Sequence, residues 1–174
     1  MNELLAFGLL GFTSFFTLIN PLGAMPIFMT MTAELNPAER VKTARKASIV
    51  AFLTILFFAF TGQLLFKFFG ISVNSLRVVG GVIFFMMGMD MLQARLTRVK
   101  LAENEVKKYV NDISITPLAI PMICSPGAIT NAIILMQDAT TFDKKMVLVV
   151  SVLLVMLLTF LILYSSSKII KALV

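Results

Sequence analysis

Two short stretches hold the residues best placed to do chemistry. One is Leu18-Ile19-Asn20-Pro21-Leu22-Gly23-Ala24, and the other is Cys124-Ser125-Pro126-Gly127-Ala128-Ile129. Proline has no N–H and disfavours the α conformation at the residue before it, so a helix running through either stretch is interrupted there. Asn and Ser are good N-caps, and proline suits the first helical position. Each stretch therefore reads as the end of one helix and a fresh N-terminus for the next. A helix start offers N–H groups and a partial charge of about +0.5, which suits a carboxylate. Carbonyls freed at residues 17–20 and 121–124 suit an ammonium or a cation. Asn20, Ser125, Thr130 and Asn131 can add neutral hydrogen bonds. A small zwitterion fits this inventory better than a large or strongly charged solute. The expected substrate-binding residues are Thr17, Asn20, Gly23, Ser125, Gly127, Ala128, Thr130 and Asn131.

Other chemistries find little support. The chain has no histidine and a single cysteine, Cys124, so the usual zinc, haem and thiolate sites lose their ligands. Neither an acid pair at mid-membrane nor a nucleophile–base constellation is visible, and an enzyme is not expected. No cofactor is expected, apart from a coupling ion, H+ or Na+. Asp90 is the one acid inside a spanning segment, read either as the ion-coupling carboxylate or as an interfacial residue, with Arg95 five positions on. Arg77 reads as an interfacial side chain that reaches for water. The net charge of +6 does not point to nucleic acid, because the basic residues lie in short loops between apolar runs.

Those loops define the elements. Hydrophobic residues make up 59% of the 174 and charged residues 14%, against roughly half and a quarter in a soluble domain. Several apolar runs exceed the ~18 residues that mark a spanning helix. The expected class is an all-α, multi-pass membrane protein. The N-terminus, Met1-Asn2-Glu3, has no basic region of the signal-peptide kind, so the first segment is expected to remain as a spanning element.

Segment one covers residues 4–31 and breaks at Asn20. Thr13, Ser14, Thr17 and Asn20 share the face that leads into the break. Asn36-Pro37-Ala38-Glu39 spells a capping box, from which a surface helix carrying Arg40, Lys42, Arg45 and Lys46 should begin. Segment two covers 47–69, with Ala47, Ala51, Thr54, Phe58 and Thr61 along one face and Gly70 as its stop. Segment three covers 74–93, lightened by Gly80, Gly81 and Gly88. Residues 94–112 are polar and form a cytoplasmic linker. Segment four covers 113–136 and carries Pro117, Pro121 and Pro126. Segment five covers 146–164 and is almost purely apolar.

Broken segment one matches broken segment four, and segment two matches segment five. An odd number of spans per repeat inverts the second copy, the arrangement of many secondary transporters. The expected domains are a first three-helix repeat over 1–93, the linker over 94–112, and a second repeat over 113–174 with two of its three helices. A 3+3 plan calls for a further helix after Val174, and a five-helix product is the other option. With the N-terminus outside, eleven of the fifteen Lys and Arg fall on the cytoplasmic side, which favours that orientation.

Three runs of residues carry a resemblance. They are Asn20-Pro21-Leu22-Gly23-Ala24-Met25-Pro26, then Arg77-Val78-Val79-Gly80-Gly81 with Met87-Gly88-Met89-Asp90-Met91-Leu92, then Thr116-Pro117-Leu118-Ala119-Ile120-Pro121 with Ser125-Pro126-Gly127-Ala128-Ile129-Thr130. In this order they resemble the MarC/SnatA family over the whole chain. The resemblance implies a bacterial or archaeal inner-membrane protein of six helices, and for some members transport of small neutral amino acids. Ser125 stands where the family often has glycine, which leaves the N-cap role intact. The expected function is therefore a secondary transporter for glycine- or alanine-like amino acids. A membrane scaffold or assembly protein and a channel are the alternatives. The paired helix starts favour the transporter over the scaffold, and no ring of repeated filter residues supports a channel. The expected partners are the amino acid and the lipid bilayer; oligomeric state is not legible.

Overall fold

The computed structural model describes residues 3–33, 35–70 and 114–173, with single positions between 72 and 89. All the elements among the described residues are helices. Helix α1 is Glu3–Ile19, α2 is Pro21–Met31 and α3 is Pro37–Phe69. A π-helix follows at Ser114–Ile123, then α4 at Pro126–Asp138 and α5 at Phe142–Leu173. Most of segment three, the linker, Arg77, Asp90 and the glycines Gly80, Gly81 and Gly88 lie outside the described residues.

Among the described residues, three stretches are long and apolar enough to cross a membrane: Glu3–Met31, Pro37–Phe69 and Phe142–Ser166. Their large exposed side chains include Leu9, Leu10, Leu53, Phe57, Leu154 and Leu161. Such surfaces are tolerated where the solvent is hydrocarbon.

The local starts and stops follow the expected capping chemistry. Asn36 accepts from the Glu39 N–H at 2.9 Å, and the Glu39 carboxylate accepts from the Asn36 N–H at 3.2 Å, closing the capping box. Gly70 ends α3 in the left-handed conformation, φ 65°, where no Cβ interferes. Two expectations for this helix need correction. The surface helix and segment two are one continuous helix of 33 residues, about 50 Å long, because nothing between Pro37 and Phe69 breaks the ladder. Arg40 is not a surface cation either. It is buried, its Nε donates to the Thr32 carbonyl at 2.9 Å and its second guanidinium nitrogen donates to the Ala33 carbonyl at 2.7 Å. These carbonyls lie past the end of α2; the Thr32 carbonyl also accepts the Leu35 N–H at 3.0 Å.

The core lies between α3, the π-helix with α4, and α5. The buried line on α3 is Ala47, Ala51, Ile55, Ala59 and Gly62. It starts on the expected face and then shifts by one position, leaving Thr54, Phe58 and Thr61 half-buried: the buried line gains a little on the 3.6-residue period and so winds slowly around the helix. Gly62 lets α3 approach α4 closely: a Cβ there would sit 2.5 Å from Ile133. Against α5 lies α1. A Cβ on Gly8 would be 3.0 Å from Val147, and one on Gly11 would be 3.4 Å from Ser151. The Ser151 hydroxyl lies 3.2 Å from the Gly8 carbonyl. Glu3 pairs with Lys144 at one end of this contact. Numbers rise together along both helices, so α1 and α5 run parallel.

Helix α5 is longer than segment five. It begins at Phe142, where the Thr141 hydroxyl accepts the Lys144 N–H at 3.3 Å, and it continues through Ser165-Ser166-Ser167. The loop expected over 137–145 shrinks to residues 139–141.

Candidate functional site

The first break occupies a single residue. Asn20 closes α1, its N–H donating to the Phe16 carbonyl at 3.0 Å. It also opens α2, its side-chain oxygen accepting the Gly23 N–H at 3.1 Å. To do both, it adopts φ 45°, ψ 63°, the left-handed conformation that Asn tolerates better than most residues. The side chain folds back over Gly23 so closely that a Cβ there would collide with the Asn20 amide. Glycine at 23 is thus a requirement of the cap. Pro21 has no N–H to give the Thr17 carbonyl, and the Gly23 N–H goes to the cap and not to Ile19.

The second break is built differently. Pro117 and Pro121 each remove a helical donor, and the chain between Ser114 and Ile123 winds as a π-helix. Its last bond runs from the Cys124 N–H to the Ala119 carbonyl at 2.7 Å, five residues apart. Ser125 is extended, φ −66°, ψ 154°, and its hydroxyl oxygen accepts the Ala128 N–H at 3.1 Å. Ser125 is fully buried, whereas Asn20 is half-buried. At both breaks the proline contributes no donor and the cap takes the third N–H. The second N–H, of Leu22 or Gly127, has no acceptor within its own helix.

Helices α1 and α4 meet above the two breaks. The Asn131 side-chain nitrogen donates to the Ser14 hydroxyl oxygen at 3.0 Å. Ser14 precedes Asn20 by as many residues as Asn131 follows Ser125. Asp138 ends α4 close to the end of the molecule where Glu3 and Lys144 pair, so α4 runs against α1. Both breaks therefore lie about 9 Å from that hydrogen bond, on the same side of it.

Beside the Ser14–Asn131 bond is an open cleft of about 380 Å³, lined by Thr13, Ser14, Thr17, Leu18 and Asn131. Its hydroxyls share one feature. Thr13 donates to the Leu9 carbonyl at 2.8 Å, Ser14 to Gly11 at 3.1 Å and Thr17 to Thr13 at 2.8 Å. Each proton is thereby committed to the helix backbone, and the oxygens face outward as acceptors.

Of the expected site residues, Thr17 and Asn131 line this cleft. Asn20 and Gly23 form the first cap, and Ser125 and Ala128 the second. Gly127 and Thr130 are buried in α4 and do not line the cleft. Ser14, the direct partner of Asn131, is absent from the expected binding set, although it belongs to the polar stripe that leads to Asn20. Leu18 and the Arg40 clamp were not signalled at all: one is an ordinary apolar residue, and the other sits in a run of basic residues that resembles a solvated face.

The model of the MarC family of integral membrane proteins matches residues 5–174. A UPF0056 membrane protein of Pyrococcus horikoshii is 38% identical over 162 residues, which is 93% of this chain and 78% of that one. One from Methanocaldococcus jannaschii is 32% identical over 166 residues, 95% of this chain and 81% of its own length. The Bacillus subtilis UPF0056 membrane protein YvbG is 36% identical over 159 residues, covering 90% and 75%. No solved structure matches the chain. With its apolar spanning helices and a family match over nearly all of its length, the chain belongs to the MarC family of integral membrane proteins.

Proposed function

We propose that the protein is a secondary transporter of small neutral amino acids, glycine- or alanine-like, in the inner membrane of its cell. The observation that carries this reading is the pair of capped helix starts, Asn20–Pro21 and Ser125–Pro126, at about one level, with an open, largely apolar cleft that carries the Thr13, Ser14, Thr17 and Asn131 side chains about two turns away. Broken helices of this kind hold substrates in many transporters of inverted-repeat design. In this reading the two halves form a 3+3 inverted repeat with the N-terminus outside, as the distribution of Lys and Arg favours. The helix starts receive the carboxylate, through the N–H groups of Leu22 and Gly127 and the positive ends of α2 and α4. The acceptor-lined cleft receives the ammonium. Asp90 supplies the coupling carboxylate.

The test is uptake of labelled alanine into proteoliposomes holding the full-length protein. Asn20→Ala and Ser125→Ala should insert normally and bind alanine about tenfold more weakly, the ratio that ~1.4 kcal/mol represents. Asp90→Asn separates the two readings of that residue: a coupling carboxylate's loss leaves alanine binding and abolishes the pH or sodium dependence of uptake, whereas loss of an interfacial one leaves transport like the parent's. Unchanged affinity in both cap variants would overturn the reading.

A further inference from the structure

We propose that the α1 face of the cleft is an ammonium subsite, and that the protein therefore selects amines over alcohols at the α-position of its ligand. The proposal rests on the transporter reading and specifies which end of the substrate is read and by what.

Three hydroxyl oxygens lie along this face, and one backbone carbonyl near it lacks its helical donor. The hydroxyls are those of Thr13, Ser14 and Thr17, whose protons are held by the carbonyls of Leu9, Gly11 and Thr13. The carbonyl is that of Thr17, whose helical donor would be the N–H that Pro21 does not have. A hydroxyl normally donates or accepts as its partner demands. Here that choice is already made, because each proton lies along a backbone carbonyl at 2.8 to 3.1 Å. The cleft lies in the last turns of α1, the negative end of the helix dipole.

An ammonium brings three donors and a positive charge and satisfies this arrangement. A ligand hydroxyl brings one donor and no charge, and a carboxylate oxygen meets only lone pairs. Asn131 fixes the geometry from the opposite helix by donating to Ser14, which leaves the Thr13 and Thr17 oxygens for the ligand. The volume of about 380 Å³ falls at the small end of the range for ligand sites. Thr13 and Thr17 are exposed on a helix whose neighbouring exposed residues, Leu9 and Leu10, are large and apolar. A polar strip in that position calls for a polar occupant.

Four ligands separate the possibilities, with binding measured by calorimetry on the full-length protein in detergent. Alanine carries both groups, alaninamide keeps the ammonium and loses the carboxylate, lactate keeps the carboxylate and replaces the ammonium by hydroxyl, and N-acetylalanine removes the positive charge. Alanine should bind, alaninamide should bind within about tenfold of it, and lactate and N-acetylalanine should be at least a hundredfold weaker, the scale on which sites built to pair an N–H reject its absence. Thr17→Val and Thr13→Val keep the side-chain shape and should weaken alanine and alaninamide together by about tenfold each. Lactate binding equal to that of alanine would overturn the subsite and leave the transporter reading standing. Alaninamide binding without alanine binding would keep the subsite and overturn the amino acid reading. Unchanged alanine affinity in the Thr13→Val/Thr17→Val double variant, with the protein folded, would place the ammonium elsewhere and overturn the proposal.

Discussion

The first break turns on one residue and the second on two. Asn20 ends α1 with an ordinary helical bond to Phe16 and starts α2 in the same step, which only a left-handed backbone allows. The second chain has already loosened over ten residues of π-helix before Cys124 and Ser125 let the next helix begin, and Ser125 needs only the common extended conformation. The same cap-and-proline sequence thus yields two backbone geometries. What differs is the helix upstream: regular and unbroken in α1, emptied of donors by Pro117 and Pro121 in the other. The strain at the first break is concentrated in a half-exposed residue, whereas the second spreads its irregularity and buries its cap.

Substitutions can sharpen or break this contrast. The largest effect is expected for Asn20→Val, which combines a left-handed β-branched residue with loss of the cap and should cost about 3 kcal/mol. The readout is the thermal midpoint in detergent; a value near that of the parent would mean that residue 20 is not left-handed. Glycine should then separate the two caps. Ser125→Gly leaves the buried Ala128 N–H without its partner and should cost about 2 kcal/mol. Asn20→Gly keeps its backbone conformation and should cost only a few tenths of a kcal/mol. Equal losses would erase the distinction. Gly62→Ala tests the scaffold behind the second break. The collision with Ile133 should cost about 1 kcal/mol, and Ile133→Val should recover part of it. The smallest effect is expected at Glu3→Gln. Glu3 is four-fifths exposed, and loss of its pair with Lys144 should leave the midpoint indistinguishable from the parent.

The chain's own residues announce where helices begin and end more clearly than how they are wound. Asn20, Asn36, Gly70 and Ser125 are legible because capping is local chemistry, settled by a residue and its next three neighbours. The left-handed turn at Asn20 is not legible, since it depends on α1 staying regular to its last residue. The π-helix is hidden for a related reason: Pro117 and Pro121 announce a disturbance without stating whether the chain kinks, breaks or widens. Buried faces were read to within one position on α3, where the neighbouring helices select Ile55 although the 3.6-residue period alone points to Thr54. In the candidate site, the Thr17 and Asn131 sides of the cleft were identifiable as polar groups inside apolar runs. The Ser14–Asn131 bond links residues 117 apart, and no local pattern encodes such a pairing.

The Arg40 clamp has a mechanical consequence. Helix α2 has only eleven residues, about 16 Å, and both of its ends are fastened. At one end the Asn20 side chain holds it to α1, and at the other the Arg40 guanidinium grips the carbonyls of Thr32 and Ala33 from the first turn of α3. Such a rod cannot fray to absorb a change of angle. A rotation at Asn20 has to be carried to the foot of α3, a helix about three times as long, so α2 works as the short arm of a lever.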